Sequence, residues 1–355
     1  MAGIAILGAG IFAREEHLPA LIKAKANILA VYSRSTASAK SLIEAASNLG
    51  TPTSQITIYA DELNAQNQGL PDLLARQDIK AVVIALPILV QPDVVRKCLV
   101  LGKHVLCEKP IAKNIQSGLD LVTEYERDYR PKGLIFSIAE QARFDLALTR
   151  AKELVASGKI GKLNHVHSRL WTNTLPGENK WYETEWRKKP EYQGGFVLDA
   201  GVHMIALLRF VSGQEITKTA SLVQQVYPHL PPLDTVNAGI MFSGGATGSL
   251  SISFASSKNA SEYLFVGESG TVSVNWSWGK NKVVLEDKQG RTVVEEIDGL
   301  GVEEEVKAFL MAVRDGKADP RGEIREALAD VAVIESICSG GGVVQDYMSS
   351  AKLWF

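Results

Sequence analysis

Apolar residues in the first part of the chain fall in short unbroken runs, and in the later part they alternate with polar ones. Ile4–Leu7, Ile28–Tyr32, Ile56–Tyr59, Ala81–Leu86, the run ending in Glu108-Lys109-Pro110, and Gly133–Ala139 read as strands. A parallel strand covered on both faces has no polar side to show, so its sequence is continuously apolar. Between these runs the spacing is helical: from the first glycine turn to about Ala26, over Ala39–Asn48, about Pro92–Leu101, and Asn114–Tyr129. Asp61-Glu62-Leu63 starts a short helical piece. Alternation of strand and helix predicts a doubly wound parallel sheet of the Rossmann type.

From about Ala147 the rhythm changes. A helix over Leu148–Ser157 ends at Gly158. Segments 163–170, 216–226, 236–242, 247–254, 263–266, 271–275, 283–286 and 292–297 then follow a period of two. Such patterning predicts a large, mostly antiparallel open sheet with one face covered. Helices are expected at His203–Val211, Val302–Asp315 and Glu323–Ser339. The expected fold is therefore α/β, with a Rossmann domain over residues 1–140 and an α+β domain over 141–355.

A chain of 355 residues exceeds one ordinary core. Its 46% apolar and 22% charged content is that of a soluble globular protein. A formal net charge of −2 argues against nucleic acid or a membrane as partner. Cys98, Cys107 and Cys338 form neither pairs nor a metal spacing, so reduced thiols, a cytoplasmic location and no metal are expected. The N-terminal MAGIAILGAG reads as a first strand rather than a signal peptide, and no apolar run is long enough to span a bilayer.

Three stretches carry candidate chemistry. Gly8-Ala9-Gly10-Ile11-Phe12-Ala13 has the GxGxxA form of the dinucleotide fingerprint. Gly8 allows a tight turn, Gly10 allows close approach of a pyrophosphate, and the helix opening at Ile11 and Phe12 offers its N–H groups to the anion. A plain strand–helix turn fits the same residues. The next strand ends in Ser33-Arg34-Ser35, where an NAD site usually carries a carboxylate for the ribose 2′-hydroxyl. A guanidinium flanked by hydroxyls suits a 2′-phosphate instead, which favours NADP(H) over NAD(H). The alternative is a solvated Arg34 beside a helix cap formed by Ser35 or Thr36. Leu86-Pro87 and Glu108-Lys109 close two neighbouring strands, at the edge where such sheets bind ligands. Lys109 is the expected centre of a hydride-transfer site. In the second half, a polar aromatic loop with Trp181, Trp186 and Arg187 precedes Gly194-Gly195 and Asp199-Ala-Gly-Val-His203. A helix starting near Ala200 would be capped by Asp199, with His203 in its first turn and both facing one opening. In the plainer reading Asp199 only caps and His203 only packs.

The combination resembles the glucose–fructose oxidoreductase / inositol dehydrogenase / rhizopine-catabolism (Gfo/Idh/MocA) family. The likeness runs from Gly8-Ala-Gly10 through Glu108-Lys109-Pro110 to Gly194-Gly195 and Asp199-x-Gly201-x-His203. Residues 10–19 and Trp186-Arg-x-Lys-Pro190 look like a fungal NADP(H)-linked branch. The resemblance implies a Rossmann domain, a C-terminal substrate domain whose open sheet forms a homodimer, and a small-molecule substrate. It implies that Lys109 binds the reacting oxygen and positions the nicotinamide, that His203 is the general acid/base, and that Asp199 is its partner or a substrate ligand. Trp186, Arg187 and Gln141 are candidate substrate contacts. Departures from the family pattern are Ala206 for an acidic residue, Gln141 for asparagine, Asp145 for proline and Gln91 for histidine.

The expected function is NADP(H)-dependent oxidation or reduction at a carbonyl or secondary alcohol of a sugar, polyol or aldehyde. Such chemistry needs a proton acceptor or donor at the oxygen and a cation to stabilise alkoxide charge. Two other functions fit parts of the pattern. One is a non-catalytic NADP(H)-binding regulator, like the galactose repressor of the same family. The other is an enzyme that keeps its cofactor while oxidising one sugar and reducing another.

Overall fold

Six parallel strands form the first sheet: β1 (Gly3–Leu7), β2 (Asn27–Ser33), β3 (Thr57–Ala60), β4 (Ile79–Ile84), β5 (His104–Glu108) and β6 (Phe136–Ala139). Their order is β3-β2-β1-β4-β5-β6, so the direction of winding reverses at β1 and β4. The computed structural model describes residues 2–277 and 279–348. The apolar runs read as strands are these strands, and two are buried along their whole length: all five residues of β1 and β6's four. The expected first helix is less regular, with a π-helical turn at Ala13–His17 before an α-helix at Leu18–Lys23.

The unit built on this sheet is not one continuous stretch. It comprises residues up to Ala112, Gln116–Glu140, and then Val302–Ile324, whereas the sequence reading divides the chain once, after residue 140. The reason lies in the helix Gly301–Asp315. Val302, Val306, Phe309 and Ala312 form one apolar stripe at helical spacing, and they share a core with Ile4, Ile6, Leu18, Leu21, Val31, Leu42, Val83 and Leu106. Burying each large side chain contributes about 1.5–3 kcal/mol, which holds the returning helix on this unit.

The second unit comprises Lys113–Ile115, Gln141–Gly301 and the chain from Arg325. Its nine-stranded sheet contains β7 (Leu163–Asn173), β8 (Ile216–Gln224), β9 (Thr235–Phe242), β10 (Thr247–Ser253), β11 (Ala255–Gly267), β12 (Gly270–Asn275), β13 (Lys280–Asp287), β14 (Thr292–Asp298) and β15 (Gly341–Val343). The order is β14-β13-β12-β11-β7-β10-β9-β8-β15. All pairs are antiparallel except β7 with β10. On β9, Val236, Ala238, Ile240 and Phe242 are buried while Asn237, Gly239 and Met241 face out, the expected period of two. β11 begins eight residues before the segment read from sequence, because Ala255–Ser261 is polar and small and its register shifts between Ala255 and Ala260.

The helix Gly201–Ser212 is anchored in this unit by buried charge. Arg209 Nη1 donates to Asp330 Oδ1 at 2.6 Å, and Arg143 Nη2 donates to Asp330 Oδ2 at 2.6 Å. Arg209 also donates through Nε to Glu215 at 2.8 Å. All three of Arg143, Arg209 and Asp330 are almost fully buried, so each needs the others. This network ties the turn Gln141–Arg143 to the helix that carries His203.

Gly8 in the first unit is constrained both by its backbone angle and by its neighbours. Its φ is +114°, and a Cβ there would stand 2.2 Å from the Ala85 carbonyl oxygen. Substituting Gly8→Ala should cost roughly 1–3 kcal/mol from the backbone conformation alone, with the clash added. Urea unfolding of the variant checks this, and an unchanged midpoint would show that β1 and β4 separate freely at this turn.

Candidate functional site

The first unit brings together one group of the expected residues at the carboxyl edge of its sheet. Gly8 donates its N–H to Tyr32 O at 2.8 Å, and Ala85 donates to Leu7 O at 2.8 Å. The glycine turn is thus fastened to β2 on one side and to the end of β4, before Leu86-Pro87, on the other. Gly10 is exposed, and no atom lies within 4 Å of where its Cβ would be. That open space, with the helix start of Ile11 and Phe12 beside it, fits a pyrophosphate approaching N–H groups. Phe12 is half-buried, its ring edge-on to His17 at 5.2 Å.

At the end of β2 the capping alternative resolves in favour of Ser35. Its hydroxyl accepts the Ser38 N–H at 3.2 Å at the start of the helix Thr36–Asn48. Arg34 is exposed, between half-buried Ser33 and Ser35. Two carboxylates that sequence reasoning did not assign to this region also border it. Tyr32 Oη donates to Asp61 Oδ1 at 2.7 Å, and the Thr36 N–H donates to Glu62 Oε2 at 2.9 Å. The Thr36 N–H holds Glu62 below the usual carboxylate range, and burial together with Asp61 pushes the Tyr32 phenol up. The signal was available: Asp61-Glu62 directly follows β3, which pairs with β2.

Lys109 is half-buried just beyond β5, and the Lys109–Pro110 peptide is cis. Gln91, almost wholly buried, supports this strand end. It accepts from Cys107 Sγ at 3.3 Å and donates to Pro110 O at 3.4 Å. The Glu108 carboxylate is engaged with His17, Oε1 to Nε2, at 2.7 Å. Next to this pair lies Glu305, 1% exposed, with neither carboxylate oxygen hydrogen-bonded. Burial, then Glu108 and Glu140, push Glu305 well above the ordinary carboxylate range. No metal is expected from sequence spacing, yet one ligand atom from each of His17, Glu108 and Glu305 lies within 4.8 Å of the others. Sequence reasoning missed His17 because its partner lies 91 residues away in the chain, and Glu305 because only tertiary packing brings it beside that pair.

Asp199 and His203 belong to the second unit, as do Trp186, Arg187 and Gln141. Their local structure corrects one expectation. The helix starts at Gly201, its cap is Ala200, and no side chain caps it. Asp199 instead ends a separate turn, Phe196–Asp199, set by Gly195, where φ is +49° and a Cβ would meet Pro231 O at 2.4 Å. Freed from capping, the buried Asp199 takes Arg187 Nε on Oδ2 at 2.6 Å. The Arg187 guanidinium lies over Trp186 at 4.0 Å and Trp181 at 5.6 Å, a cation–π stack that fixes the planar group.

His203 is half-buried, its ring edge-on to Trp276 at 6.1 Å. The Asp145 carboxyl accepts from Ala147 and Leu148 N–H and from Asn281 Nδ2. Burial nevertheless raises Asp145 above its ordinary range. Tyr192, buried beside Asp199, has its phenol pushed far up by burial and then by that carboxylate. Trp276, Asp145 and Tyr192 were not among the expected site residues, although Asp145 was noted as a departure from the family pattern. Gln141 is buried, and its amide oxygen has no hydrogen-bond partner.

A switch-point glycine turn, a lysine at the end of a central strand, and a following unit with a nine-stranded sheet define a nucleotide-binding oxidoreductase of two-domain type. Residues 2–130 match the family described as "Oxidoreductase family, NAD-binding Rossmann fold", and residues 148–273 match "GFO/IDH/MocA C-terminal domain". The chain belongs to the Gfo/Idh/MocA family of oxidoreductases. It is 37% identical over 344 residues to the dehydrogenase FPY6 of Fusarium mangiferae, covering 95% of each chain. It is 27% identical over 340 residues to D-xylose 1-dehydrogenase (NADP(+)) 2 of Haloferax volcanii, covering 94% of this chain and 95% of that one. A solved oxidoreductase structure from Thermotoga maritima superposes with a TM-score of 0.84 at 30% identity, covering 98% of this chain and 99% of that one.

A buried carboxyl whose pKa is raised on folding favours the folded state below its ordinary range, near 4.5. That stability is lost as pH rises from there through the raised value. Within that window the fall is roughly 1.4 kcal/mol per pH unit for one group. Glu305→Gln removes the titration, so its unfolding free energy should lack this part of the pH dependence seen in the parent. Urea midpoints across the neutral range compare the two, and identical slopes would mean that Glu305 folds in its charged form.

Proposed function

We propose that the protein is an NADP(H)-dependent oxidoreductase acting on a carbonyl or secondary alcohol of a small substrate: a sugar, polyol or aldehyde. The observation that carries the reading is the carboxyl edge of the first sheet. There the glycine turn after β1, the end of β4 and the Glu108-Lys109 end of β5 are adjacent, at the point where the winding reverses. The exposed Arg34 between Ser33 and Ser35 supports a 2′-phosphate contact. The similar xylose dehydrogenase, named for NADP(+) and a sugar, points the same way.

When bound, the nicotinamide exchanges hydride with the substrate carbon. In this reading the Lys109 ammonium holds the reacting oxygen and stabilises negative charge as it develops. His203 takes the hydroxyl proton in oxidation and returns it in reduction, with an imidazole suited to that range. Asp199, held by Arg187, orients the polar side of the substrate, and Trp186 and Gln141 line its place. Gly8, Gly10, Ile11 and Phe12 take the pyrophosphate, and Leu86, Pro87 and Glu108 flank the nicotinamide. Exposed Leu222, Val293 and Val294 on the nine-stranded sheet support a homodimer through that sheet. Three free cysteines support a reducing, cytoplasmic setting.

Removing either reacting group should leave nucleotide binding largely intact while slowing turnover. Lys109→Ala and His203→Ala are each expected to lower kcat by about 10²–10⁴, with NADPH affinity changed only a few-fold. His203→Ala should also flatten the pH–rate profile. Steady-state kinetics over a carbonyl and sugar panel provide the check, and parental rates in Lys109→Ala would sink the assignment.

Cofactor choice is tested separately by fluorescence titration with NADPH and NADH. Arg34→Ala should weaken NADPH selectively, by roughly tenfold for the loss of a charge-assisted contact. An equal loss for both nucleotides would argue against a 2′-phosphate contact.

A further inference from the structure

The end of β2 holds an anion of the protein's own, bound to the backbone at Thr36, two residues beyond Arg34. Glu62 lies in the short turn Asp61–Gln66 after β3, and its Oε2 accepts the Thr36 N–H at 2.9 Å. Thr36 is the first residue of a 13-residue helix capped by Ser35. Its N–H is among those at a helix start that have no partner within the helix. The placement of Glu62 comes from sheet register rather than from a wandering loop. Ser33 pairs with Ala60 across β2 and β3, and the next residue, Asp61, is fastened by Tyr32 Oη at 2.7 Å. The bond to Thr36 keeps the Glu62 carboxyl acidic, so it is charged at neutral pH.

Resting on the NADP(H) reading above, we propose that Glu62 is a specificity-determining residue for the nucleotide. Its carboxylate occupies an anion position at the Thr36 N–H, which a 2′-phosphate displaces it from and a ribose 2′-hydroxyl does not. The chemistry of the two cofactors differs there in one group. A 2′-hydroxyl donates a hydrogen bond, and a carboxylate only accepts, so NADH leaves Glu62 where it is. A 2′-phosphate is itself an anion and an acceptor. It is repelled by Glu62, competes with it for the Thr36 N–H, and is attracted by Arg34. Arg34 and Glu62 therefore pull the NADPH/NADH preference in opposite directions, and the preference records their balance. An acidic residue is missing at the end of β2 itself, but the next strand supplies one.

The test is the dissociation constant of each nucleotide, by fluorescence titration, for the parent, Glu62→Gln, Glu62→Ala and Arg34→Ala. Glu62 is exposed, so both of its variants should fold, and Gln keeps the side-chain size while removing the charge. Both are expected to bind NADPH about two- to fivefold more tightly, the scale of one exposed charge pair, with NADH unchanged or weaker. The gain should shrink at high salt. NADPH affinity that is unchanged or weaker in both Glu62 variants overturns the proposal and leaves Glu62 as a helix cap. A parent whose NADPH affinity depends on Arg34 but not on Glu62 defeats this inference alone. A parent that binds neither nucleotide defeats it together with the cofactor reading.

Discussion

The 2.7 Å bond between His17 and Glu108 joins the two parts of the first unit that the proposed chemistry must keep in register. His17 ends the π-helical turn that follows the glycine fingerprint, and Glu108 is the last residue of β5, directly before Lys109. A shift of that turn would move the N–H groups offered to phosphate. A shift of β5 would move the lysine. One buried side-chain contact constrains both, and burial protects it from competition by water. Gln91 adds a second brace from the helix after β4, holding Cys107 and the Pro110 carbonyl on either side of the same strand end. The lysine thus stands on a fixed backbone.

That arrangement has an electrostatic consequence. Glu108, Glu140 and Glu305 are all buried around it, and three charged carboxylates in such a space would be very costly. The least expensive solution is for the one without hydrogen bonds, Glu305, to stay protonated, which is the direction its surroundings push it. Glu305 comes from the helix that returns to this unit after the second sheet. The apolar stripe of that helix fixes the carboxyl beside the His17–Glu108 pair.

Much of this was legible in the amino-acid sequence where the information is local. The six parallel strands showed as apolar runs, the glycine turn as a motif, and most of the antiparallel strands as alternation. The return of Val302–Ile324 to the first unit was not legible, because periodicity says that a helix has an apolar face and not which core receives it. The first half of β11 was hidden by its small polar residues. At the site, the residue types at Lys109, Asp199 and His203 stood out, but their partners did not. Glu305, Glu62, Trp276 and Tyr192 reach their places only through tertiary packing. The expected capping role of Asp199 failed for a similar reason: the chain breaks helix at Ala200, and a nearby guanidinium outcompetes the backbone for the carboxylate.

The two halves of the Asp-x-Gly-x-His element consequently have different surroundings, and this bears on how each can act. Asp199 is committed to Arg187, a bond both short and buried, and Arg187 is in turn pinned on two tryptophans. A carboxylate so held is stationary, which in the proposed function suits recognition of hydroxyl groups. His203 has a different neighbourhood, an aromatic edge from Trp276. Its ring is half-exposed beside that aromatic edge. In the proposed function, the division of labour between Asp199 as a substrate ligand and His203 as the acid/base has its counterpart in what packs around each residue, four positions apart in the same short stretch of chain.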